Sequence, residues 1–193
     1  MIVLVGFMGA GKTTVGTLLA ARLGLPFTDS DQVIERRAGR PVRQIFAEDG
    51  EPAFRALEHQ VITELLDGPP IVLALGGGAA EHPGTRALLA RGGRPSPNPS
   101  PQTPLEVVYL HVSYEQALQR VGGDRDPESR PLLARPDLAG LYERRLGVYA
   151  GVATLTVPTD GRDPLAIAED ILAVAATLFN LSERAVVRAH EKG

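Results

Sequence analysis

Residues 6–13, Gly-Phe-Met-Gly-Ala-Gly-Lys-Thr, fill the pattern G-x-x-x-x-G-K-[ST] at every fixed position. Before them stands a four-residue apolar run, Ile2 to Val5. After them, Val15, Leu18, Leu19 and Leu23 recur at helical spacing until Gly24 and Pro26 stop the pattern. A chain that passes from a buried strand through a glycine-rich turn into a helix has few architectures open to it. Glycines at 6, 9 and 11 let the backbone wrap until consecutive N–H groups face one anion. The helix starting near Lys12 adds unpaired amides and the positive end of its dipole. Lys12 brings a full charge to the β- and γ-phosphates of a nucleotide, and the Thr13 hydroxyl is a ligand for magnesium. Gly9, Ala10, Gly11, Lys12, Thr13 and Thr14 are therefore the expected nucleotide-binding residues. Of 20 basic residues only Lys12 and Lys192 are lysines, so the placement of one at residue 12 is itself a signal.

The remainder of the chain repeats the alternation of strand and helix. Short apolar runs at 26–28, 71–75, 107–112 and 153–157 read as strands. Helical patterns fall at 32–38, 42–47, 51–66, 85–89, 115–121, 138–149 and 164–179. The strands are apolar throughout, which marks a parallel sheet covered on both faces. The expected fold is α/β, three layers with the sheet in the middle, and one domain fills residues 1–193. Residues 94–104 carry five prolines and read as a surface insertion, because such a stretch cannot donate a strand ladder.

Composition narrows the class further. Net charge is −3 and the isoelectric point is near 5.8, which gives no broad basic surface for nucleic acid. There is no cysteine, so thiol catalysis and cysteine zinc sites are excluded. The four histidines stand far apart without metal-ligand spacing. No segment approaches the roughly 20 apolar residues of a membrane span, and no secretory signal is visible. The expectation is a cytoplasmic monomer with no membrane or nucleic-acid partner.

The phosphate loop establishes nucleotide binding and leaves the reaction open. Asp29-Ser30-Asp31 follows the second strand, and on an extended segment its two acids project to one side. One suits magnesium and the other an acceptor hydroxyl; N-capping of the next helix by Asp31 is the alternative. Gly76-Gly77-Gly78 exceeds what a turn requires and points to something packed against bare backbone. Arg55 lies one place off the apolar stripe of its helix, and Arg145 four residues before Tyr149. The polar stretch from Arg120 to Arg135 carries Gly122 and Gly123 as hinge candidates and Arg130 as a candidate for a transferring phosphoryl group.

Taken together, the Gly6 loop, Asp29-Ser-Asp31, Phe54-Arg55, Gly76-Gly-Gly78, Arg130-Pro-Leu-Leu and Arg145 through Tyr149 resemble the shikimate kinases over nearly the whole chain. The resemblance implies a five-stranded parallel sheet ordered 2-3-1-4-5, a substrate-binding region at about 31–60 and a lid at about 120–136. It implies ATP and shikimate as substrates, with magnesium, and transfer of phosphate to the 3-hydroxyl. By the same resemblance Thr13 and Asp29 attend the metal, and Asp31 bonds the acceptor hydroxyls as a base. Arg55 and Arg145 clamp a carboxylate, Gly76, Gly77 and Gly78 line the ring, Arg120 and Arg162 flank the adenine, and Lys12 and Arg130 serve catalysis. The chain departs from the family at Gly147, where a proline is usual, in extra residues between Gly123 and Arg130, and in the proline-rich insertion. A gluconate-type kinase and a nucleotide-binding module without catalysis are the competing expectations.

Overall fold

Strand β1 (Ile2–Val5) runs through the centre of the sheet, and none of its residues is more than 2% exposed. It pairs in parallel with β3 (Val72–Ala74) on one side and β4 (Glu106–His111) on the other. Strand β2 (Phe27–Asp29) continues the sheet beyond β3, and β5 (Leu155–Pro158) beyond β4. The order is β2-β3-β1-β4-β5, as the family resemblance implied. Successive residues of a strand face opposite sides, and in β1 and β3 both sets are buried, so both faces of the sheet are covered. The computed structural model describes residues 1–90, 105–122 and 137–175. The proline-rich insertion, Arg130 with most of the expected lid, and the tail lie outside them.

Helices α1 (Lys12–Leu23), α2 (Ser30–Ala38), α3 (Val42–Leu66), α4 (Pro83–Ala90), α5 (Tyr114–Gly122) and α6 (Leu138–Val152) connect the strands. A final helix, α7, is described over 164–175. The two helices expected at 42–47 and 51–66 are the two arms of α3, bent at Gly50, where φ is 81° and ψ 165°. Other element ends differ from the expected ones by one to a few residues, as fraying ends do. Gly147, in the place of the family proline, sits within unbroken α6.

Because every strand is parallel, all carboxyl ends reach the same edge of the sheet. The register sets Asp29 beside Ala74 and Ala74 beside Leu4. From β1 the chain moves outward to β2 and back to β3, then crosses to β4 on the other side. That reversal opens a crevice at the end of β1, where open α/β sheets bind their ligands. The glycine loop after β1, Asp29 at the end of β2 and the triple glycine after β3 all border it. A second, smaller apolar cluster of Ile34, Ile45, Phe54 and Val61 lies apart from the main core and packs α2 against both arms of α3.

Two helical glycines separate packing from propensity. A Cβ on Gly16 in α1 would stand 2.4 Å from the Phe27 ring and 3.1 Å from Leu4, whereas one on Gly147 would meet nothing within 4 Å. Alanine gains about 1 kcal/mol over glycine in a helix interior, and overpacking of this kind costs about 1–3 kcal/mol. Gly147→Ala should therefore raise the unfolding free energy by up to ~1 kcal/mol, and Gly16→Ala should lower it by roughly 1 kcal/mol, both read from urea denaturation.

Candidate active site

The glycine loop closes tightly on its neighbours. Gly9 has φ 75° and Gly11 φ 90°, and a Cβ on Gly9 would stand 2.9 Å from the Ala117 carbonyl oxygen of α5. Only glycine fits there. Ala10 is buried, and its N–H donates to the Phe7 carbonyl at 3.2 Å. Helix α1 starts from Gly11 without a side-chain cap, which keeps its first amides available to an anion. Lys12 Nζ arches over the loop it follows, donating to the carbonyls of Gly6 at 2.7 Å and Phe7 at 3.1 Å. Thr13 and Thr14, in the first turn of α1, are exposed.

Arg120 lies on one flank of this loop, and Arg162 stands near it at the end of β5. Arg120 donates to the Gly9 carbonyl at 3.0 Å, to Thr159 Oγ1 at 3.1 Å and to the Thr159 carbonyl at 2.6 Å. Arg162 donates to the Pro158 carbonyl at 3.3 Å and to Asp170 at 2.5 Å. Both thus gather at the carboxyl end of β5.

The acid pair differs from the sequence expectation. Asp29 ends β2 and Asp31 already lies in α2, so the two do not share an extended segment. Asp29, not Asp31, caps the helix, its Oδ1 accepting the Asp31 N–H at 2.9 Å. A cap satisfies an amide two positions into the helix. That turns Asp31 away from capping and into the crevice. Between them Ser30 is fully buried, and its Oγ accepts the Gly76 N–H at 2.9 Å, fastening the start of α2 to the loop after β3.

Around Gly76, Gly77 and Gly78 the functional side chains converge. A Cβ on Gly76 would lie 2.5 Å from Asp31 Oδ1 and 2.7 Å from Glu58 Oε1. One on Gly78 would lie 2.1 Å from Arg55 Nη2, and one on Gly77 would lie 3.4 Å from Arg145 Nη1 and 4.0 Å from the Gly6 carbonyl oxygen. That same carbonyl accepts from Lys12, so the triple glycine and the phosphate loop adjoin. Arg55 Nη1 donates to Glu58 Oε2 at 2.6 Å and Nη2 to Glu51 at 3.3 Å, and its guanidinium sits over the Phe46 and Phe54 rings. Arg145 is 1% exposed and donates from Nε and Nη2 to Glu81 Oε2 at 3.1 and 2.7 Å. Its neighbour Arg144 faces solvent with Asp137. Tyr149, one turn beyond Arg145, donates to the Gly77 carbonyl at 2.5 Å.

Among the described residues, Asp31 Oδ1 and Glu58 Oε1 are buried without a hydrogen-bond partner, and both face Gly76. Buried oxygens in that state are suited to receive a ligand's hydroxyls. Burial, helped by Asp29 and opposed by Lys12 and Arg55, pushes the Asp31 carboxyl up to about 6. Burial also pushes Glu58 up, to about 7, against the pull of Arg55.

Sequence reading missed Ser30, Glu58 and Glu81. Glu58 had a signal. It stands four after Phe54 and three before Val61, on the apolar stripe itself, where a solvated carboxylate has no place. Glu81 had none.

The site suits magnesium on its chemistry. Thr13 offers an exposed hydroxyl, and Asp29 retains a second carboxylate oxygen beyond the one used in capping. Among the described residues no three acidic or histidine side chains form a cage, and magnesium bound with nucleotide phosphates does not need one.

A family model described as shikimate kinase matches residues 8–176. A shikimate kinase of Thermobifida fusca is 49% identical over 172 residues, covering 88% of this chain and 91% of that protein. One of Pseudomonas entomophila is 46% identical over 177 residues, covering 89% and 93%. The solved structure of shikimate kinase from Acinetobacter baumannii in complex with shikimate is 37% identical, with a TM-score of 0.79 over 91% of this chain and 92% of that one.

The raised Asp31 pKa carries a stability consequence. In the unfolded chain Asp31 ionises near 3.8, and in the fold near 6. Between those pH values the folded state holds more protons, so stability falls as pH rises through that window. Asp31→Asn escapes the loss. Its melting temperature should exceed that of the wild type by roughly 6–12 °C at pH 8, with the difference vanishing below about pH 4. Differential scanning calorimetry at both pH values tests this.

Proposed function

This chain belongs to the shikimate kinase family, and on that premise we propose that it transfers the γ-phosphoryl group of ATP to the 3-hydroxyl of shikimate, acting as a cytoplasmic monomer. The observation that carries the reading is the convergence of Asp31, Arg55 and Arg145 on the bare backbone of Gly76–Gly78 beside Lys12. A ring acid that carries hydroxyls matches that set. Two guanidinium groups pair with its carboxylate, buried carboxyl oxygens receive its hydroxyls, and glycines let its ring lie against the main chain.

Phosphoryl transfer asks chiefly for positioning and charge neutralisation. In this reading the amides from Gly9 to Thr14 cradle the phosphates, and Lys12 leaves its loop carbonyls for the β- and γ-oxygens. Thr13 and Asp29 would hold magnesium, which when bound would supply positive charge beside the nucleotide phosphates. Arg120 and Arg162 border the adenine. Arg130, carried over from the family motif Arg-Pro-Leu-Leu, adds charge to the transferring group. Asp31 orients the acceptor hydroxyl. As the bond from the γ-phosphorus to the bridging oxygen breaks and the new P–O bond forms, Asp31 takes the hydroxyl proton. A carboxyl with a pKa of about 6 is ionised at neutral pH and basic enough to hold that proton late in the step.

ADP release from ATP should depend on added shikimate, and gluconate should not replace it. Lys12→Ala should lower kcat by at least about 1,000-fold with an unchanged circular dichroism spectrum. Arg145→Ala should raise the KM for shikimate by about 100-fold and leave that for ATP within about threefold. An equal loss for both substrates would assign Arg145 a structural role.

A further inference from the structure

Arg145 is a cation with almost no contact with solvent, and such a group needs a fixed counter-charge. Glu81 supplies it. A single oxygen, Oε2, accepts from both Nε and Nη2, so one edge of the guanidinium is held and its plane is set. Nη1 lies beside Gly77, 3.4 Å from where a Cβ would stand, and the guanidinium also hydrogen-bonds the Tyr149 hydroxyl, 3.7 Å from the same point. Glu81 is placed by the same short turn that follows the triple glycine, Ala79–Glu81, and its N–H donates to the Gly78 carbonyl at 2.9 Å. The backbone that faces the acceptor and the carboxylate that holds Arg145 are thus one rigid piece.

We propose that Glu81 is a positioning residue for the acceptor: it presets Arg145 so that the opposite edge of the guanidinium, beside Gly77, meets an incoming carboxylate. This rests on the reading of Arg145 as a carboxylate clamp. With its geometry fixed in advance, Arg145 loses little freedom when the acceptor binds, and a buried fork cannot swing to a wrong angle.

Glu81→Ala should raise the KM for shikimate at least about tenfold while the KM for ATP stays within about twofold. Glu81→Gln retains an acceptor oxygen at the same reach but loses the counter-charge, and its KM for shikimate should fall between those of wild type and Glu81→Ala. In an Arg145→Ala background, Glu81→Ala should change kcat/KM for shikimate by less than about twofold, because its effect runs through that arginine. A lower KM in Glu81→Ala would make Glu81 a competitor for the clamp and overturn the proposal. So would equal losses in both backgrounds, or Glu81→Gln behaving like Glu81→Ala. Wild-type enzyme without shikimate-dependent turnover overturns the functional reading and this inference together. Normal wild-type turnover with any of the other contrary results overturns this inference alone.

Discussion

Charge removed from water governs the acceptor half of this molecule. Asp31, Glu58, Arg55 and Arg145 crowd around three residues that have no side chains, and Glu58 and Arg145 are each only 1% exposed. Isolated charges in such a place are strongly unfavourable, and paired ones still lose hydration. The structure compensates by pairing each guanidinium with carboxylates: Arg55 with Glu58 and Glu51, Arg145 with Glu81. It leaves two carboxyl oxygens without partners. The site is therefore ordered in advance and incompletely satisfied, which is the condition under which an added ligand with matching hydroxyls binds well.

That arrangement follows from the sheet. Five parallel strands deliver their carboxyl ends to one edge, and the reversal at β1 opens that edge into a crevice. The phosphate loop, Asp29 and the triple glycine are neighbours because the register aligns Leu4, Ala74 and Asp29. The nucleotide half rests on backbone amides and a helix end, the acceptor half on ion-paired side chains. Gly6 joins them, since its carbonyl oxygen accepts from Lys12 and lies 4.0 Å from the Cβ position of Gly77.

What could be read from sequence was whatever the backbone dictates. The phosphate loop needs glycine at fixed positions, so its spacing survives as a pattern; the buried strands survive as apolar runs. Strand order came only through resemblance to a family. The acid pair shows the limit. Two aspartates flanking one serine look alike on paper, yet one caps a helix and the other enters the crevice, and the choice depends on where β2 ends. Arg144 and Arg145 present the same ambiguity, which the orientation of α6 resolves. Glu81 belongs to a contact between residues 64 positions apart, and nothing local announces it.

The bend at Gly50 gives α3 two arms with different neighbours. Both arms and α2 close over four apolar side chains that are separate from the main core. A unit held by so few apolar side chains generally opens at less free energy than a whole domain core. Arg55 rests on Phe46 and Phe54, on either side of the bend, so its seat loosens whenever that unit opens. Substitutions there would shift the seat of Arg55 from a distance, through a cluster the phosphate loop does not touch.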